Sequence, residues 1–291
     1  METSELLRKV RKIEIKTRRL SQNIFSGQYH SIFKGRGIAF SEVREYQIGD
    51  DVRLIDWNVT ARFNHPYVKV FEEERELTLI LLIDISGSES FGSRVSFKRD
   101  LIAEISAIFA FSALQNNDKI GAILFSDRVE KFIPPKKGRT HILHIIRELL
   151  NFQPQSKKTS IQTALQFAFN SIKKRSIVII LSDFLDNEFE EALKILARKH
   201  DTIAIQVADQ RESDIPNVGL IYLEDAETGE TFWFDSSDSL ALKNYQIWWH
   251  SRQLHLREVF QKAKVDFIQV QTGQSYIEPL IEFFRKRERR I

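Results

Sequence analysis

The chain contains no cysteine among its 291 residues, and this absence excludes several kinds of chemistry together. Disulfide bonds, thiolate zinc sites and cysteine nucleophiles all require a thiol. Any metal bound by this protein must therefore be held by oxygen or nitrogen donors.

Long apolar runs are also missing. The longest, LTLILLI and IVIIL, fall far short of the roughly 18 uninterrupted apolar residues that a membrane-spanning helix needs. The amino-terminal string METSELLRKV has no apolar core of the kind found in a signal peptide. We therefore expect a soluble, cytoplasmic protein without an integral membrane segment.

Neither sign of charge is in large excess. Lysine and arginine number 43 against 40 acidic residues, a formal net charge of +3, so nucleic acid is not the expected partner. Basic runs near both ends are interrupted by Glu5, Glu14, Glu282 and Glu288. This mixture is typical of solvated helix faces.

Strand and helix patterns alternate from about Leu77 onward, and the strands are short and rich in β-branched residues. This order predicts an α/β fold: a doubly wound, mostly parallel, Rossmann-like sheet over residues 77–291. We expect an inserted β-hairpin near 219–235, around AETGE, and a long helix near 238–264. Residues 1–76 differ in texture, and we predict a separate, irregular amino-terminal segment that begins with an amphipathic helix from about Thr3 to Leu20.

Five oxygen-bearing side chains point to a metal site. Asp84, Ser86 and Ser88 form the string DISGS after the first strand, Asp183 follows the strand IVIILS, and Thr159 stands in a loop before a helix. The carboxyl ends of parallel strands open onto one crevice, so these residues can converge. Two carboxylates and three hydroxyls suit a hard cation, Mg²⁺ or Mn²⁺.

Other interpretations of these residues stay open. Asp84 can instead cap the turn that follows its strand. Ser160 and Thr163 lie close enough to Thr159 to replace it as the loop hydroxyl.

The segment 35–62 is dense in arginine, aspartate and aromatic residues. It forms either a docking surface for a partner or an internal network of arginine–carboxylate pairs. The residues concerned are Arg44, Tyr46, Asp50, Asp51, Arg53, Asp56, Trp57 and Arg62.

Several catalytic motifs do not occur. The sequence has no GxxxxGK[ST] loop and no GxSxG elbow, and GRGIAF lacks the third glycine of a dinucleotide-binding turn. We therefore predict a protein that is not an enzyme. The alternative is a metal-assisted hydrolase or phosphatase that uses the same crevice.

Two sets of residues carry a resemblance to known families. The DISGS, Thr159 and Asp183 pattern resembles the metal-ion-dependent adhesion site of von Willebrand factor type A domains. The string GRGIAFSEVREYQIGDDVRLIDWNVTAR resembles the signature of the bacterial domain-of-unknown-function family fifty-eight, which joins that segment to a von Willebrand A-like domain. The strings KGRTHILHIIREL, SDF and EDAETGE fit this family too, so the resemblance covers nearly the whole chain.

The resemblance implies an activity in protein recognition. Ser86 and Ser88 would bind Mg²⁺ through their hydroxyls, Asp84 and Asp183 would act directly or through water, and Thr159 would join when a ligand arrives. A partner's Asp or Glu would complete the coordination. Family members are usually found beside MoxR-type AAA+ ATPases, and this chain looks closest to members from aerotolerance operons, which implies an adaptor in protein assembly or stress tolerance.

Overall fold

The computed structural model describes residues 3–21, 38–73, 77–87, 92–93, 96–225 and 227–289. The chain forms two compact units. One comprises residues 1–32 and 78–291, and the other comprises residues 33–77. The first helix therefore belongs with the sheet, although the sequence pattern grouped it with the rest of residues 1–76.

Twelve strands are found in the described residues, and six of them form the central sheet. Their bounds are β1 Ile38–Glu45, β2 Tyr67–Glu73, β3 Thr78–Asp84, β4 Gly92–Ser93, β5 Ser96–Phe97, β6 Lys119–Phe125, β7 Val129–Lys136, β8 Ile177–Ser182, β9 Asp201–Ala208, β10 Leu220–Glu224, β11 Thr231–Asp235 and β12 Asp266–Gln271.

The helices alternate with these strands. Their bounds are α1 Thr3–Leu20, α2 Trp57–Phe63, α3 Lys98–Gln115, α4 Arg139–Asn151, α5 Ile161–Ser171, α6 Glu190–Lys199, α7 Gln210–Ser213, α8 Ser239–Ala263 and α9 Ile277–Glu288, with a 3₁₀ turn at Val52–Leu54. In the described residues, no helix is both long enough and apolar enough to span a lipid bilayer.

The central sheet has the order β12-β9-β8-β3-β6-β7. All its neighbouring pairs are parallel except β6 and β7, which run antiparallel. The chain passes from β3 to β6 on one side and later returns to β8 on the other, so the winding direction reverses between β3 and β8. The predicted doubly wound, mostly parallel Rossmann-like sheet is confirmed.

The strands form the centre of the core because they are apolar on both faces. Every residue of β8 is buried, as are six of the seven residues of β3. Strands that are covered by helices on both sides show such continuous apolar runs. Helices α5, α6 and α8 contribute Leu165, Leu193 and Phe260 to the same cluster.

Helix α3 is buried over most of its surface, with 13 of its 18 residues inside. It therefore needs cover on the side that faces away from the sheet, and α1 supplies part of this cover. Lys16 of α1 donates to Glu104 of α3 at 2.5 Å, and the hydroxyls of Ser21 and Ser112 lie 3.1 Å apart.

The predicted hairpin is present. Strands β10 and β11 pair antiparallel, with Tyr222 opposite Trp233. None of their side chains is buried, so few packing contacts hold the strands of this hairpin. The long helix α8 follows it directly, beginning at a cap formed by Asp238.

The unit of residues 33–77 is a small antiparallel pair with one short helix. Strand β1 pairs with β2, and Asp56 caps α2 by accepting from Asn58 N and Val59 N. The Arg44 guanidinium donates two bonds of 2.7 Å to the Asp50 carboxylate. These contacts favour the internal-network interpretation for Arg44 and Asp50, whereas Asp56 accepts from backbone amides.

Candidate functional site

The candidate site lies where the winding of the sheet reverses. Strand β3 ends at Asp84, and Asp183 directly follows the neighbouring strand β8. The two strands are parallel, with Ile83 opposite Leu181, so their carboxyl ends lie side by side. In open α/β sheets, ligands bind in the crevice outside these ends at the point of reversal.

Asp84 is buried at this point, with 1% of its surface exposed. One carboxylate oxygen accepts from Ser86 N at 3.0 Å, and the other accepts from the Ser182 hydroxyl at 2.6 Å. Burial and, next, the nearby charge of Asp183 raise the pKa of Asp84 to about 7. The surroundings of Asp84 therefore favour its protonated form over its ionised form.

Ser86 is buried beside Asp84, whereas Ser88 lies outside the described residues. Between them, Gly87 N donates to Lys157 O at 2.8 Å. This bond ties the turn after β3 to the loop that carries Thr159. The structure thus brings Gly87, in the turn after β3, next to the loop that carries Thr159.

Asp183 is also buried, and it has a cationic partner that the sequence analysis missed. The Lys98 ammonium, fully buried at the start of α3, donates to an Asp183 carboxylate oxygen at 3.0 Å. It also contacts the Glu212 carboxylate. Burial raises the pKa of Glu212, although Lys98 opposes that effect. The available signal was a lysine at the start of a helix that is mostly apolar.

Thr159 is partly buried, and its hydroxyl donates to the Glu227 carboxylate at 2.6 Å. The two alternative hydroxyls are engaged elsewhere. Ser160 caps α5 by accepting from Thr163 N, and the Ser160 and Thr163 hydroxyls lie 2.9 Å apart. Thr159 thus contacts a carboxylate, whereas Ser160 and Thr163 contact each other at the start of α5.

Glu227 was also missed by the sequence analysis. It stands in the turn of the hairpin, 68 residues beyond Thr159. Burial raises its pKa, and the charge of Asp183 acts in the same direction. The charges of Glu227 and Asp183 therefore repel each other.

The loop after Asp183 is held by Arg252 from α8. The guanidinium donates to Phe184 O at 2.8 Å, to Asp186 O at 3.1 Å and to Asn187 Oδ1 at 2.8 Å. Phe184 is buried and has a φ of 57°, in the left-handed region that non-glycine residues seldom adopt. Arg252 thereby stabilises an unusual backbone next to Asp183.

The donors present fit a hard divalent cation. Among the described residues there is no cluster of three or more His, Cys, Asp or Glu of metal-binding geometry. Carboxylate and hydroxyl oxygens converge instead, which is the ligand chemistry of Mg²⁺ and Mn²⁺. Asp84 and Asp183 are buried, Glu212 is partly buried, and the Lys98 ammonium contacts Asp183 and Glu212.

Two bacterial relatives are similar in sequence. An uncharacterized protein of Mycobacterium tuberculosis, Rv1480, is 27% identical over 283 residues, which is 96% of this chain and 89% of the relative. The uncharacterized protein YeaD of Bacillus subtilis is 36% identical over 110 residues, covering 38% of this chain and 25% of that protein.

Two solved structures share the fold. BatB of Bacteroides thetaiotaomicron has a TM-score of 0.50 at 17% identity, covering 73% of this chain and 99% of that one. An aerotolerance-related membrane protein of Bacteroides fragilis has a TM-score of 0.50 at 14% identity, covering 74% of this chain and 100% of that one. The family model described as protein of unknown function DUF58 matches residues 42–253. The chain belongs to this family, as its signature strings predicted.

Proposed function

We propose that this protein is a metal-dependent interaction module that binds an acidic residue of a partner protein through Mg²⁺ or Mn²⁺. One observation carries the proposal. Two carboxylates, Asp84 and Asp183, lie at adjacent strand ends, where burial and, next, the charge of Asp183 raise the pKa of Asp84. A divalent cation would relieve the repulsion between the two charges.

The ligands in this proposal are Asp84, Ser86, Ser88, Thr159 and Asp183. When bound, the cation supplies a positive charge to which an incoming carboxylate coordinates. Ser86 and Thr159 are neutral donors, so they leave most of that charge available to the incoming acid. Lys98 donates to the Asp183 carboxylate and so fixes its orientation.

The first partner to test is a MoxR-type AAA+ ATPase. The family resemblance implies such a partner, because family members are usually found beside these ATPases, and one structural neighbour is described as aerotolerance-related. In this proposal the protein is a cytoplasmic adaptor in protein assembly or stress tolerance. The motor or its client would carry the Asp or Glu that enters the crevice.

Cation binding is tested by the stability of the purified protein with and without Mg²⁺. A ligand at 100 times its Kd stabilises the folded state by about 2.7 kcal/mol. Wild type should gain stability by about this amount at saturating Mg²⁺, and Asp84→Asn should gain none. Glu188→Gln, an exposed acid on the loop after β8, is the control and should respond as wild type does. Equal gains in Asp84→Asn and wild type would refute the proposed site.

Recognition is tested with the MoxR-type ATPase from the same host. Immobilised wild-type protein should retain the ATPase in Mg²⁺ and release it in EDTA, whereas Asp84→Asn should not retain it in either buffer. If the ATPase is retained equally in Mg²⁺ and in EDTA, its recognition does not depend on the metal. Generic phosphatase and esterase substrates form a second arm: turnover that is lost in Asp84→Ala would favour the hydrolase alternative instead.

A further inference from the structure

The hairpin places an acid of this same chain at the proposed cation site. Its turn lies between β10 and β11, and Glu227 in that turn accepts from the Thr159 hydroxyl at 2.6 Å. Among the proposed ligands, Thr159 is the one that the family resemblance expects to join the cation when a partner's carboxylate binds. A carboxylate is thus already hydrogen-bonded to that ligand.

The turn is built to present Glu227. One Asp225 carboxylate oxygen accepts from Glu227 N at 2.8 Å and from Thr228 N at 2.9 Å. Gly229 N donates to Asp225 O at 2.8 Å, and its φ of 74° suits a residue without a side chain. These bonds hold Glu227, Thr228 and Gly229 to Asp225.

Core packing does not explain this placement. The strand side chains of the hairpin are exposed or only partly covered, and Tyr222 and Trp233 lie on its surface at 59% and 65% exposure. The base is held by the buried Ser236, whose hydroxyl donates to Gly219 O and accepts from Val218 N. Glu227 is instead partly buried and held by the Thr159 hydroxyl, outside the hairpin.

We infer that Glu227 is an internal ligand of the proposed cation, holding the coordination position that a partner's carboxylate would take. This inference rests on the proposed function. The hairpin then keeps the site closed, and a partner's acid binds by displacing Glu227 from the cation and from Thr159. The exposed strands let the hairpin move away without opening the core.

Mn²⁺ is the probe for this inference, because its binding and its bound waters are both measurable. Free Mn²⁺ is measured by electron paramagnetic resonance, and the number of inner-sphere waters by water-proton relaxation. In Glu227→Ala, Mn²⁺ should bind at least about tenfold more weakly, the scale expected when a group that organises a metal site is lost. It should also carry one more exchangeable water, which added acetate should displace in this variant and not in wild type.

Two further variants separate the possible failures. Glu230→Gln changes an exposed acid in the same turn and should match wild type in both measurements. Asp84→Asn should lose Mn²⁺ binding. If Asp84→Asn fails to bind while Glu227→Ala retains wild-type affinity and water number, the internal ligand is refuted and the cation site stands. If Asp84→Asn binds Mn²⁺ as wild type does, the cation site itself is refuted.

Discussion

At the residue scale, the buried charges around Asp183 decide the chemistry of the site. Lys98 neutralises part of the negative charge, but Asp84 has hydrogen bonds only from Ser86 and Ser182 among the partners given above. The two carboxylates thus have different surroundings. Asp183 accepts from the Lys98 ammonium, whereas burial and the Asp183 charge raise the pKa of Asp84. Because its pKa is about 7, Asp84 changes its protonation state near neutral pH.

The pKa of Asp84 predicts a pH dependence of folding in EDTA. An aspartate titrates near 3.8 when unfolded, and the folded value is about 7. Between these values the folded state binds more protons, so this contribution to stability is complete below pH 3.8 and is lost as pH rises through 7. At 1.36 kcal/mol per unit, the loss is at most on the order of 4 kcal/mol.

The measurement is urea unfolding of wild type and Asp84→Asn at several pH values. The difference between the two free energies of unfolding should move in favour of the variant as pH rises from 4 to 8. Saturating Mg²⁺ should suppress that movement. A difference that is constant with pH would show that Asp84 is not a buried, raised-pKa carboxyl.

Lys98→Met tests the buried ion pair. The substitution leaves the carboxylates of Asp183 and Glu212 inside without their ammonium, and breaking a buried pair in this way costs about 3–5 kcal/mol. Urea unfolding at pH 7 in EDTA measures it. Lys194→Met removes the exposed pair with Glu191 and should leave the unfolding midpoint almost unchanged. Equal effects of the two substitutions would contradict the structure.

At the element scale, the close approach of β6 and β7 depends on Gly121. A Cβ at this position would lie 2.9 Å from Ile133 O and 3.0 Å from Pro135 N, both backbone atoms of β7. The pairing of the two strands also shifts register there, between Ile120 and Ala122. The strand β7 can lie this close only because position 121 has no side chain.

Gly121→Ala should therefore displace β7. Overpacking of this kind destabilises a protein by about 1–3 kcal/mol. Thermal or urea unfolding gives the global change, and hydrogen exchange should show faster exchange for the amides of residues 129–136 than elsewhere in the sheet. Wild-type stability with unchanged exchange in β7 would show that the strands are farther apart than described.

At the scale of the whole molecule, the two compact units differ in how much apolar surface they bury. In the larger unit, strands β3 and β8 are buried almost throughout. In residues 42–70, where burial is described, Val68 is the one buried apolar side chain. Regions with few buried apolar contacts open at lower free energy than core strands.

Native-state hydrogen exchange checks this difference. Amides of residues 42–45 and 67–70 should exchange orders of magnitude faster than those of β3 and β8, which should exchange only on global unfolding. The same protection in both regions would mean that the smaller unit opens only together with the sheet. The Arg44–Asp50 pair would then contribute more than its half-exposed position indicates.

Local sequence patterns were enough to predict the sheet and the two strand-end aspartates. Continuous apolar runs indicate strands that are buried on both faces. Asp84 and Asp183 come at the ends of two such runs, so they are expected at the carboxyl ends of the strands. Lys98 and Glu227 could not be placed in this way, since they meet their partners across 85 and 68 residues of chain. The helix α1 was also predicted from the sequence, but its packing against α3 was not. That packing follows from the burial of α3 on nearly all sides, which the structure shows.

The prolines of β7 have a consequence for how other proteins can approach. This strand forms one border of the sheet, and Pro134 and Pro135 lack the amide hydrogens through which a foreign strand would pair. Lys131 and Lys136 add charge along the same border. A partner thus finds an interrupted backbone template for β-augmentation on this flank, and self-aggregation by strand pairing is disfavoured there.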